Sequence, residues 1–593
     1  MKKLLPVLVV VAIVAAALFF FLKSSTDQLD MAPGRAAELA PADAIVFLEF
    51  PDIQRSKGRW KETSIRKIAD EPEWKEFTGK WDEFAAQNAE WHQVAGVLGQ
   101  IERADPAGLF VAFSSFDGPL PKMVGGFPYR GKKSDVQAVV SNLRTKILDA
   151  YPAAKAGDLT NYEGTEVETL KDKDMTISMA YRDNWFFFAS DTELLLKTLS
   201  RYIRKPDAPA ALASDTVWKN TIQQGLAGSD MTLFVRWSAL AKKFEDILSL
   251  AGANPMVASH PSRMESLLYS AKMDGLLMRD HFYVRAQKPF KVEPFANRSA
   301  AFTSAATYAY LATQMGFAVE GMQESIDMFE KSPIGVEFEK VLAKKGLKVA
   351  DIFSALGPEI SMLSDWESGG LSLPTFFASV EIRDKAKARL LADLMVSEAD
   401  DSKKVVISQE DGATLWTFPP EAAIFQPTFA MNETHIVFGL TPATVKAVLK
   451  QAKEAGGHVS SKADYQTALK TVAAPTSAML FVDLKTLFER LYEKLKPMAA
   501  YAIIGQPEVS KYLDSAKLPK AETISRHLLP MMISWSEADS GMQMDCSGSL
   551  SFFQSYVPAF VPVFVLGSMR ARTVPMPPPS PPVADESAVP APK

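Results

Sequence analysis

The chain has 593 residues, 47% of them hydrophobic and 23% charged, so it can bury a large core and is not disordered over most of its length. Its 65 basic and 70 acidic residues leave a net charge of −5, which argues against a nucleic-acid partner. A single cysteine excludes an internal disulfide framework and any thiolate cluster for zinc or iron–sulfur.

From the N-terminus, Lys2 and Lys3 precede an unbroken apolar run from Leu4 to Leu22, followed by Lys23 and a polar Ser-Ser-Thr-Asp stretch. Nineteen helical residues at about 1.5 Å each reach roughly 28 Å, close to the ~30 Å hydrocarbon core of a bilayer. The small-x-small pattern Ala15–Ala17 lies inside the run, before Leu18 to Phe21, so an uncleaved anchor is expected over a cleaved signal peptide. The lysine pair before the span favours a cytoplasmic N-terminus and an exported body, single-pass in a bacterial inner membrane with the body in the periplasm. No cysteine follows the span, so lipoprotein anchoring is excluded. Residues 1–23 are read as the anchor and 24–39 as a linker.

The body opens with Pro41-Ala42-Asp43, an alternating strand over Ile45 to Phe50, then Pro51-Asp52, Trp60 and Glu71-Pro72-Glu73. This run from Pro41 to Phe77 resembles the start of an uncharacterised bacterial envelope family, the domain of unknown function three-three-five-two. The resemblance implies a membrane segment followed by a strand and a tryptophan-bearing helix; the family brings no established activity or catalytic residues. The second lobe departs from the pattern, with Thr313 and Gln314 where the proline-aspartate would stand. Within the helical stretch, Trp74, Phe77, Trp81 and Phe84 fall at i, i+3, i+7 and i+10 on one face. Such a face packs against a sheet, or grips a sugar ring, a lipid chain or a partner helix.

Five further segments recur in order. Ala42–Leu48 matches Ala305–Leu311, the strand after Leu120-Pro121 matches that after Leu373-Pro374, and Asn184–Ala189 matches Thr434–Gly439. Met231–Val235 matches Met479–Val482, and Leu267–Met278 matches Leu528–Met544. Two homologous lobes are expected, 40–297 and 298–550. Alternation marks strands, and Val136, Val139, Val140, Leu143 and Ile147 form a helical stripe begun by Ser134 as cap. Asp117-Gly118, Asp274-Gly275, Ser368-Gly369-Gly370 and Ser540-Gly541 signal hairpins. The expected fold class is α+β: tandem lobes with antiparallel-dominated sheets and packed helices, after an N-terminal transmembrane helix.

Beyond the lobes, the apolar segment 551–570 reads either as a second membrane crossing or as an element closing the last lobe, and 571–593 is a proline-rich tail expected to be disordered. Of chemistry there is little. The six histidines stand about twenty residues or more apart, without metal-ligand spacing, and no GxSxG, GxxxxGK[ST] or GxGxxG motif occurs. No catalytic residue, metal ligand or cofactor is assigned. The expectation is a non-enzymatic, membrane-anchored envelope scaffold or binding protein with an envelope partner. A carrier of an apolar or glycan ligand is the alternative, and a hydrolase built from scattered residues is a third.

Overall fold

The computed structural model describes most of residues 35–550; residues 1–34, 551–593 and shorter internal stretches, the longest 241–263 and 315–326, are outside the description. The expected anchor at 4–22, the apolar segment 551–570 and the hairpin tips at 118–120 and 368–372 fall there. Among the described residues no helix is long and apolar enough to cross a membrane.

Helix and strand are mixed, and the strands build one large antiparallel sheet. In the first half they are β1 (Val46–Phe50), β2 (Leu109–Ser115), β3 (Lys122–Pro128), β4 (Lys155–Ala156), β5 (Thr160–Tyr162), β6 (Thr165–Lys171), β7 (Thr176–Arg182), β8 (Trp185–Ala189), β9 (Met231–Val235), β10 (Met264–Asp274) and β11 (Leu277–Ala286). In the second half they are β12 (Thr307–Gln314), β13 (Leu356–Asp365), β14 (Thr375–Ile382), β15 (Val406–Glu410), β16 (Ala413–Thr417), β17 (Thr428–Met431), β18 (His435–Gly439), β19 (Ala478–Val482), β20 (Met531–Ala538) and β21 (Gly541–Gly548).

Side by side, the first half runs β5-β6-β7-β8-β3-β2-β1-β9-β10-β11, with β4 sharing the outer edge of β6. The second half runs β15-β16-β17-β18-β14-β13-β12-β19-β20-β21, the same order. The two last strands, β11 and β21, pair antiparallel, so the halves fuse into one open ladder whose outer strands are β5 and β15. Register makes Leu48 equivalent to Leu311 and Gly125 equivalent to Ala378, since each stands in the same place relative to its neighbours.

Both main cores lie on one face of this sheet. In the first lobe Phe47, Phe110, Phe187, Phe234 and Leu268 pack under the helices Arg35–Leu39, Thr192–Tyr202 and Thr216–Ile222. In the second, Tyr310, Phe377, Val437, Met479 and Phe481 pack under Pro442–Gln451 and Ala463–Leu469. Asp191, Asp215 and Thr441 cap three of these helices by accepting backbone N–H groups, so each starts at a fixed place on the sheet.

Two expectations change. Ala36, Ala37 and Leu39 are buried in the first core, and Leu39 O accepts from Arg201 Nε at 2.8 Å, so the lobe begins inside the segment read as linker. The reason is the small apolar face of the helix, which fits closely against Thr192–Tyr202. Ser134 does not cap its helix: the helix spans Lys133–Ala150, and Lys132 O accepts from Asp135 N and Val136 N.

Candidate functional site

A cross-strand row through the middle of the sheet turns polar where the lobes meet. It passes Glu49, Thr232, Ser270, His281, Asp545 and Ser534 on six successive strands. All point to the core face. The hairpin of the first lobe closes at Asp274 opposite Leu277 and that of the second at Ala538 opposite Gly541. His281 and Asp545 each stand four positions past that closure (277 to 281, 541 to 545) and face each other. The same pairing sets Met278 opposite Gly548 and Val284 opposite Met542, so a pseudo-twofold axis passes through the His281–Asp545 pair.

His281 Nδ1 lies 2.7 Å from Asp545 Oδ1, and Asp545 Oδ2 accepts the backbone N–H of Ala473 at 2.9 Å. Burial alone would push the Asp545 carboxyl up; the bonds from His281 and Ala473 outweigh it and hold it below the usual range. Arg279 Nη2 donates to Thr471 O at 2.9 Å, and Tyr283 OH lies 2.9 Å from Ser540 Oγ, so the first lobe's last strand is tied to second-lobe loops at several levels. At the far end of the row Glu49 is 6% exposed, and burial pushes its carboxyl up to about 7. Its Oε1, His281 Nε2 and Ser534 Oγ have no hydrogen-bond partner among the described atoms.

The aromatic helix plays its part at the same junction. The helix Pro72–Gln87 carries Trp74, Phe77, Trp81 and Phe84. Phe77 is buried with Trp74 edge-on at 5.8 Å, and Phe77 O accepts from Asp514 N of the second lobe at 3.0 Å. The side chains of Trp81 and Phe84 are outside the described residues. At the helix start, Glu73 Oε2 accepts from Lys520 N at 2.9 Å and from Thr523 Oγ1 at 2.7 Å, while Glu71 pairs with Arg526 and His527. Those bonds hold the Glu71 and Glu73 carboxyls below the usual range. The Glu71-Pro72-Glu73 turn is thus a strut between lobes.

A cleft of about 550 Å³ lies in the second lobe, walled by Phe295, Arg298, Gln314, Glu359, Glu381 and Arg383. Glu359 accepts from the backbone N–H groups of Arg298 at 2.8 Å and Ser299 at 2.7 Å, and Glu381 pairs with Arg298. His435, opposite Glu381 in register, is buried, and burial keeps its ring toward the neutral form. Both carboxylates are therefore answered from within the lobe.

The reverse face of the sheet differs between lobes. In the first it lies under the helices Ile53–Trp60 and Lys133–Ala150. In the second the outer strands are covered by Lys385–Ser397, but Met362, Phe376 and Phe438 remain 59%, 51% and 42% exposed, and together they mark an open apolar surface. Met362, Ala378 and Phe438 form one row. The helix Leu484–Gly505, which packs on β12, exposes Leu495, Met498 and Tyr501 as well.

Sequence reasoning missed the His281–Asp545 pair, whose members are 264 positions apart (545 − 281), and the open face, whose residues alternate like those of any strand. The buried thiol of Cys546 and the lack of a cluster of three His, Cys, Asp or Glu side chains among the described residues add no metal centre.

No family model and no curated protein matches the chain. Among solved structures, crystal form III of TP0453 covers 46% of this chain and 84% of its own at 10% identity, with a TM-score of 0.24. Crystal form I of the same protein gives 46%, 83%, 9% and 0.23. Similarity at that level carries no argument about function.

Proposed function

We propose that the chain is a non-enzymatic envelope protein, held at the bacterial inner membrane by residues 4–22 with its body in the periplasm, and that the body binds an apolar ligand. The observation that carries this reading is the open reverse face of the second lobe. Contiguous exposed apolar surface on a soluble body marks an interaction site. The outward positions Leu311, Met362, Phe376, Ala378 and Phe438 offer no hydrogen-bonding side chain. A glycan needs donors and acceptors set at its hydroxyls; an acyl chain needs only area. The favoured ligand is therefore a lipid acyl chain, which a membrane anchor would keep close at hand.

Native mass spectrometry of the detergent-extracted chain tests it. A co-purified lipid, lost in the Met362→Asp/Phe438→Asp double variant without a change in melting, is the expected result. A ligand-free wild type whose crosslinked envelope partner disappears in the same double variant would replace the carrier with a scaffold.

A further inference from the structure

The two ends of the ladder are unequal. At the first-lobe end the outer edge of β6 is divided between β5, three residues long, and β4, two residues long, which leaves no continuous edge. At the second-lobe end β15 presents five consecutive residues and pairs only with β16 among the described strands. Val406 and Ile407 are 63% and 56% exposed, and Ser408 and Gln409 are exposed too. A long edge of this kind, with neither proline nor bulge, is a template for another strand.

The sequence across this edge is charge-palindromic: Lys403-Lys404-Val405-Val406-Ile407-Ser408-Gln409-Glu410-Asp411. Antiparallel pairing of β15 with itself about a twofold at Ile407 sets Lys404 opposite Glu410 twice. Val406 then faces Ser408, and the two Ile407 side chains meet. A register centred on Ser408 would put Val406 against Glu410, and one centred on Val406 would put Lys404 against Ser408; only the Ile407 centre matches every charge with its opposite. Glu410 already receives Lys446 Nζ at 2.5 Å, so each pair across the axis would extend a bridge present within one chain. The molecule also provides the precedent: β11 and β21, equivalent last strands of two lobes, pair antiparallel about the His281–Asp545 axis.

We propose that β15 is a homotypic docking edge, where a second copy of this chain adds its own β15 antiparallel in the register centred on Ile407. Pairing five to seven residues belongs with small, transient interfaces. A covalent trap suits it better than a hydrodynamic measurement. The proposal is independent of the lipid reading, because β15 lies outside the exposed row on β13, β14 and β18.

The test uses the full chain in its native membrane. The lone native Cys546 is 1% exposed, so an Ile407→Cys variant carries one accessible thiol, placed on the axis. Mild oxidation is expected to give a disulfide-linked dimer of Ile407→Cys at least tenfold above Ser408→Cys, whose thiols would face Val406. Adding Lys404→Glu should abolish the crosslink, and adding Glu410→Lys to that variant should restore it, because the swapped charges again face each other. Equal crosslinking at 407 and 408, no recovery in the charge swap, or a disulfide to a different protein would overturn the proposal. Unchanged melting curves for all variants would show that the fold is intact.

Discussion

The reverse faces of the two lobes hold equivalent positions in opposite states. Val111 in the first lobe and Met362 in the second sit in the same place, opposite Leu48 and Leu311, yet Val111 is 1% exposed and Met362 59%. Phe188 and Phe438 are likewise equivalent, opposite Gly125 and Ala378. Phe188 is half-buried because its ring lies down on a glycine: a Cβ at Gly125 would meet Phe188 Cζ at 2.5 Å. In the second lobe a methyl group occupies that space, and the phenylalanine stands 42% exposed. One lobe has thus closed its second face as part of a core, while its twin has kept the face open, and such asymmetry within a repeated architecture points to the open copy as the one that meets something.

The largest expected effect sharpens that contrast. Val111→Asp places a carboxyl in a dry face with no partner, and about 4 kcal/mol or more should be lost, with poor soluble expression or a melting transition lowered by many degrees. If Val111→Asp is tolerated like a surface change, the first face is not closed.

Next comes the junction. Removing an acceptor that buried donors share leaves those donors unsatisfied, typically at about 1–3 kcal/mol each. Asp545→Ala should destabilise by about that much, and Asp545→Asn by less, since the amide still accepts from Ala473 N. The carboxyl is held low in the native state, so its contribution is present above its unfolded pKa and fades as pH falls through the native one. Acid titration of stability, followed by tryptophan fluorescence in wild type and Asp545→Asn, measures this; identical acid limbs would remove the pair from the account.

Glu49 tests the opposite sign at the first-lobe end of the same row. Its native pKa near 7 lies above the ordinary 4.5, so the folded state prefers the protonated form. Stability is full below the unfolded value and falls as pH rises from about 4.5 to about 7. At about 1.4 kcal/mol per unit the slope amounts to roughly 3 kcal/mol. Glu49→Gln should flatten it and raise the melting temperature at pH 8, with little change at pH 4. The second lobe carries Ala312 at the equivalent position, so this pH dependence belongs to the first lobe alone.

Much of the sheet was legible, because period-2 alternation in stretches such as Val46–Phe50 and Leu277–Ala286 comes directly from burial on one face. What alternation cannot carry is which of two faces gets covered. Phe188 and Phe438 read identically in sequence, and their fates depend on Gly125 or Ala378, some sixty residues away. Nor does it reveal that Glu49 shares the core face with Phe47, or that His281 meets Asp545; the latter depends on two edges joining about an axis that no local pattern encodes. The aromatic stripe was legible as a helix face, but its contact with residues 514–527 arises from the lobe–lobe packing.

The smallest expected effect on stability is the most informative about function. Met362→Asp puts a charge where solvent already is, so its cost to the fold should stay within about 0.5 kcal/mol, as for other exposed positions. Its effect on an acyl chain lying across the row should be far larger, because the chain would have to strip water from a carboxylate with no counter-charge among the neighbouring Leu311, Ala378 and Phe438. Lipid binding, read as quenching of a fluorescent fatty acid titrated into the full chain, should weaken at least tenfold in Met362→Asp while the melting temperature stays within a degree or so. The equivalent residue in the first lobe, Val111, cannot give that separation, since any polar change there strikes the fold first. A Met362→Asp protein that binds as well as wild type would mean that the open face, for all its apolar area, is not where the ligand lies.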